Sequence, residues 1–202
     1  MFVYNSGLLA RVEQYIKELM NHELAEARYF HGLEHTQEVV KNCTRLASLE
    51  SCTPKEVELL QVAAWFHDSG YIKGRKEHEN ESFRIANHFL RAFNLDERFL
   101  SGLSGLILST KVPTTPDGLL QKIICDADLS HLGSIQYPYW QLKLRRELEF
   151  AEGIWMPDEA WNLKNILFFQ SHRYYTVHAG ALWDEQKQKN LTVLQGLSNK
   201  TR

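Results

Sequence analysis

Apolar residues recur at intervals of three and four along almost the whole chain, the spacing that gathers them on one face of an α-helix. Residues 8–28 carry it. Residues 34–50 set Val39, Cys43, Leu46 and Ala47 on a shared face. Thr53, Pro54 and Glu56 then form a start signal: a hydroxyl N-cap, a proline at the first helical position and the glutamate of a capping box. The helix they open carries Leu59, Leu60, Val62, Ala63, Trp65 and Phe66, and ends near His67. Helix is predicted again over 78–93 and 96–110. Thr115 and Pro116 open another through Asp126 and Asp128 towards Gly133, and 139–152, 158–170 and 179–196 follow. The loops at 68–77 and 109–118 are punctuated by glycine and proline. No stretch alternates with period two for long enough to make a strand. The pattern predicts an all-α fold, one domain of roughly eight helices spanning residues 1–202.

Some polar residues lie on the apolar faces. His35 is four residues before Val39, His67 follows Leu60 and Ala63 at helical spacing, and Asp128 follows Leu120 and Ile124. Asp68 adds a carboxylate at the end of its helix. A buried carboxylate is costly unless it is paired or bound to a metal. Two imidazoles and two carboxylates turned inward have a common solution in a divalent cation, with Mn, Fe, Co, Ni or Zn better suited than Ca. Asp126 competes with Asp128, because it continues the stripe of Leu119 and Ile123; periodicity does not choose between them. Each residue also has a plainer reading: a hydrogen-bonded core histidine, or a turn aspartate at Asp68.

Composition narrows the field. Hydrophobic residues make up 44% and charged residues 24% of 202 residues, and the formal net charge is −2. No overall basic field draws the chain to DNA or anionic lipid. Three cysteines, Cys43, Cys52 and Cys125, with no C-x-x-C, argue against a disulfide framework and a cysteine zinc site. The first residues have neither the basic nor the apolar region of a signal peptide, and no apolar run reaches membrane-spanning length. The expected location is the cytoplasm.

The segments "YFHGLEH" (29–35), "FHDSGY" (66–71) and "ICDADLSHLG" (124–133) together resemble the HD phosphohydrolase superfamily. "LRREL" and "FFQSHRYYT" further on are similar to its small stand-alone subgroup. The resemblance implies an HD-type helical domain, with a metal-binding core at about 29–133 and C-terminal helices over 134–202 completing the pocket. It implies His35, His67, Asp68 and Asp128 as ligands of one divalent metal ion (Mn, Fe, Co, Ni, Zn or Mg). It selects Asp128 over Asp126, which becomes a candidate for orienting a ligand or a water, with an exposed residue as the alternative. Relatives with two metals carry further histidines; His78 matches one, but "LILSTKVP" supplies none, which argues for a single metal.

The implied activity is hydrolysis of a nucleotide or other small phosphate mono- or diester, with metal-bound water as nucleophile. Asp68 would hold or deprotonate that water, and His78 would act as general acid or phosphate clamp. His31, Lys73, Arg75, Lys111 and His172 are the substrate-binding candidates, since a phosphate needs cations and donors around it. Tyr71, Tyr174 and Tyr175 could stack on a base, although aromatic residues near helix ends more often pack. The alternative function is a metal-containing nucleotide sensor or effector without turnover. A di-iron oxygenase ranks last for want of histidines. The expected partner is a small phosphorylated molecule, with a homodimer left open.

Overall fold

The computed structural model describes residues 7–23 and 28–200. Among them are nine α-helices and no strand: α1 Leu8–Glu23, α2 Leu33–Leu49, α3 Pro54–Phe66, α4 His78–Leu90, α5 Glu97–Ser109, α6 Leu119–Asp128, α7 Tyr137–Phe150, α8 Asp158–Ser171 and α9 Val177–Lys200. Single turns of 3-10 helix follow α3 (Ser69–Lys73) and α6 (Leu129–Gly133). The all-α expectation holds. The helix expected over 8–28 is seen to Glu23, and residues 24–27 lie outside the described residues.

Helix α3 is the centre of the bundle. Leu60, Val62, Ala63, Ala64, Trp65 and Phe66 are all buried, so the helix is covered on every side. Its start is as the sequence predicts. The Thr53 side chain accepts from the Glu56 amide, and the Glu56 carboxylate accepts from the Thr53 amide at 2.7 Å. Helices α1, α2 and α5 pack against α3, and α6 packs against α2. Leu8, Val12, Ile16, Cys43, Leu46, Leu103, Ile107, Ile123 and Ile124 from these helices meet in one apolar core. A second cluster ties the C-terminal helices to the turn after α6: Leu129 and Leu132 pack with Tyr137, Ile166, Phe169, Leu191 and Leu194.

Helix α6 does not begin at Thr115 and Pro116. Residues 113–117 are irregular, and the helix starts at Leu119 after Gly118. Gly118 sits at φ +90°, a conformation that interrupts a right-handed helix and suits glycine. At the other end the α-helix stops at Asp128 and tightens into the 3-10 turn.

Candidate metal centre

Helix α3 runs its buried face into His67, which has no exposed surface, and Asp68, which is 3% exposed. The chain turns immediately afterwards. Gly70 allows this, because a Cβ there would lie 2.0 Å from the His78 carbonyl oxygen. The Gly70 amide donates to Ser82 Oγ at 2.8 Å, so the turn is clamped onto the first two turns of α4. This brings His78 back beside Asp68.

Four elements therefore meet at one point. Nε2 of His35 from α2 lies 3.0 Å from Oδ1 of Asp128 and 3.5 Å from Oδ2 of Asp68. Nε2 of His67 lies 3.1 Å from Asp68 Oδ2 and 3.6 Å from Asp128 Oδ1. Nε2 of His78 is 3.5 Å from the other Asp68 oxygen. One ligand atom each from His35, His67 and Asp128 fall within 4.8 Å of one another, a group that could hold a metal ion.

The hydrogen bonds behind the cluster aim these rings. Nδ1 of His67 is 2.8 Å from the Ala64 carbonyl. A carbonyl only accepts, so this nitrogen carries a proton and Nε2 is the one turned to the cluster, where it offers a lone pair once deprotonated. The Arg75 carbonyl holds His78 in the same way at 3.0 Å, and the Asp128 carbonyl holds His131 at 3.1 Å.

Charge is strongly perturbed at this point. Burial alone would lower the His67 pKa, but Asp68 and Asp128 outweigh it and push it well above the ordinary value. Burial alone would raise the two carboxyls. Instead His67 holds Asp68, and His35 and His67 hold Asp128, well below the usual range. His67 Nε2 and Asp68 Oδ2 are nevertheless buried without a hydrogen bond. Buried groups of this kind are normally satisfied. Two imidazole nitrogens and carboxylate oxygens with spare lone pairs are a donor set for a divalent transition metal, so the residues fit such an ion.

Asp126 takes a different path. It is fully buried, and its carboxylate accepts from the Tyr175 amide, the Thr176 amide and the Thr176 hydroxyl, each at 2.8 Å. It is neither exposed nor turned to the metal centre; it clamps the connection between α8 and α9.

The substrate-binding candidates are dispersed. The His31 ring stacks on Tyr71 at 4.0 Å, and Tyr71 in turn meets His78 at 4.1 Å, so these rings form a wall beside Asp68. Tyr71 is buried with its faces occupied, which corrects the idea that it stacks on a base. Lys73 and Arg75 are exposed on the segment leading into α4. Lys111 is exposed and paired with Glu77 at 2.8 Å. His172 is buried elsewhere: its ring meets Phe168 and Tyr174, and burial together with Lys187 lowers its pKa to about 3. A neutral imidazole walled in by aromatic rings is no clamp for phosphate, and this corrects the expectation for His172. Tyr174 packs against Trp183, and the Tyr175 hydroxyl donates to the Thr114 carbonyl.

Three nearby residues escaped the sequence reading. His131 lies 6.3 Å from the His35 ring, and burial lowers its pKa to about 4. Glu79 is buried, with Oε1 3.6 Å from His78. Glu147 is buried against His31. Its signal was present: it lies seven residues after the buried Trp140 and beside the buried Leu148, on the apolar stripe of α7. A polar cavity of about 480 Å³ adjoins the cluster between α2, the turn after α6 and α7, with His35, His131, Asn42, Ser130, Arg45 and Trp140 among its walls.

Comparison with solved structures finds similar folds. One is a predicted HD superfamily hydrolase from an uncultured Thermotogales bacterium, 18% identical, with a TM-score of 0.63 over 97% of this chain and 94% of the other. Another is a protein from Lactobacillus plantarum, 15% identical, with a TM-score of 0.69 over 98% and 97%. Comparison with curated proteins finds no sequence match. The HD domain family model matches residues 32–133, which is half the chain and includes His35, His67, Asp68 and Asp128. The chain belongs to the HD domain family.

Proposed function

We propose that the protein is a metal-dependent phosphohydrolase acting on a small phosphate mono- or diester, with nucleotides as the first class to test, in the cytoplasm. The observation that carries this reading is the convergence of His35, His67, Asp68 and Asp128, with buried His67 Nε2 and Asp68 Oδ2 left without hydrogen bonds. These four residues would hold one divalent ion. When bound, the ion supplies polarisation of a phosphoryl oxygen and a more acidic water.

The remaining roles belong to the chain. Asp68 presents Oδ1 towards His78 and is suited to orient the attacking water. His78 keeps Nε2 free of its backbone bond and is suited to meet the phosphate. His31 lines the same wall. Lys73 and Arg75 supply exposed positive charge, and the Arg75 charge reaches Tyr71. Lys111 joins them only by leaving Glu77. The C-terminal helices after residue 133 are suited to complete the pocket, since α7 packs against the turn after α6 and places Trp140 near His35.

The test is metal analysis of the purified protein beside Asp68→Ala and His67→Ala. Phosphate release from a nucleotide and phosphodiester panel follows with Mn, Co, Ni, Mg and Zn. About one metal per chain, lost in both variants, with metal-dependent release, supports the reading. Bound metal with saturable nucleotide binding and no product makes the protein a sensor instead. Wild-type metal content in both variants sinks it.

A further inference from the structure

Glu147 stands on α7, outside the span matched by the family model, and is 2% exposed. A carboxylate in such a place needs donors. Oε2 accepts from the backbone amides of Phe30 at 2.8 Å and His31 at 2.9 Å. Oε1 accepts from Nδ1 of His31 in a short bond. Arg28 approaches at 3.8 Å and is bonded to Glu152. Burial alone would raise the Glu147 carboxyl, but His31 and these amides outweigh it, and its pKa lies below the ordinary value of 4.5. It is therefore an anion that only accepts hydrogen bonds.

A purely structural tie would need only the two backbone amides, which close the segment before α2 onto α7. The third bond goes further. Because Oε1 only accepts, Nδ1 of His31 must donate, and in the neutral ring Nε2 is left as an acceptor. The ring also stacks on Tyr71 with an interplanar angle of 12°, which favours the same orientation. Nε2 faces the Tyr71 hydroxyl at 3.2 Å, and the ring lies 6.2 Å from His35 and 6.4 Å from His78.

We propose that Glu147 is a positioning residue for the metal centre: it holds His31 with Nδ1 as donor, so that Nε2 accepts from the Tyr71 hydroxyl and the wall of rings that Tyr71 shares with His78 is fixed beside Asp68. The catalytic part rests on the phosphohydrolase reading. It gives α7 a place in the active site that the ligand motif does not cover.

Glu147→Gln tests it, because an amide has one accepting oxygen where a carboxylate has two. That oxygen satisfies the two backbone amides, the NH2 group faces Nδ1, and the His31 ring must change tautomer. Nitrogen-15 spectra of the histidine rings of the full chain are expected to show Nδ1–H in the wild type and Nε2–H in E147Q. With 4-nitrophenyl phosphate as probe and metal content unchanged, E147Q and His31→Asn are each expected to lose about tenfold in kcat/KM. The double variant is expected to be no worse than His31→Asn, because Glu147 acts through His31. Persistence of Nδ1–H in E147Q, or losses that multiply in the double variant, overturns the proposal. If the wild type hydrolyses no ester, the phosphohydrolase reading falls and the tautomer alone decides the positioning. Should E147Q fail to fold, Glu147→Asp withdraws the carboxylate by one methylene. The Nδ1 proton signal then moves upfield if the bond exists and stays in place if it does not.

Discussion

Asp126 and Asp128 leave the same helix two residues apart, and both lose much of their contact with water. Asp126 meets two backbone amides and a hydroxyl, which fill its oxygens. Burial still leaves its pKa raised, because the three donors offset the lost hydration only in part. Asp128 meets two imidazoles whose far nitrogens are not turned to it, and its pKa is held low. One carboxylate is finished by the fold, and the other keeps lone pairs to spare. The first holds α9 in place; the second is equipped for a cation. A buried acid is thus read by what its oxygens still lack, and its burial alone says little.

Four experiments break or sharpen that comparison. The largest effect belongs to the open side of α6. Asp128→Ala is expected to abolish stoichiometric metal and, with it, any metal-dependent turnover, as measured by elemental analysis and phosphate release. Asp126→Ala is expected to keep the metal and to lower stability by about 3 kcal/mol in urea unfolding, since it strands two amides and a hydroxyl. Equal metal loss in both variants would erase the distinction.

Gly70→Ala is expected to cost about 2 kcal/mol by overpacking against α4. It should also weaken metal-dependent turnover, because the Cβ forces the His78 backbone away from Asp68. Unfolding and kinetics at saturating metal check both parts.

The smallest effect is pH-dependent and lies away from the cluster. His172 has its pKa lowered from 6.5 to about 3 by burial and by Lys187, and its Nδ1 has no hydrogen-bond partner. The unfolded chain binds this proton first. The stability contributed by neutral His172 is therefore complete above 6.5 and is lost as pH falls towards 3. His172→Phe, close in size and without a titrating group, is expected to flatten the melting temperature over that window. An unchanged acid limb would count against a buried, neutral His172.

Much of this arrangement is legible in the chain because helices repeat at short range. The Thr53–Glu56 capping box needs only its own four residues. His35 and His67 are assigned inward by the apolar residues one and two turns away. The same rule could not separate Asp126 from Asp128, because both lie on apolar stripes of α6 and differ only in what crosses over from α2, from the end of α3 and from the segment before α9. It misplaced the start of α6, since the positive φ of Gly118 overrides the signal of Thr115 and Pro116. It gave His172 a binding role that the packing of Phe168 and Tyr174 denies.

The sequence by itself determined the helical class, the central burial of α3, and the presence of imidazole and carboxylate groups on interior faces. Those properties follow from periodicity and from contacts within a few residues. Only the tertiary structure decided which lone pairs remain unused, that Gly70 folds His78 back onto Asp68, and that Glu147 reaches across 116 residues of chain to the His31 ring. Such pairings join distant segments, and their partners are set by how whole helices pack.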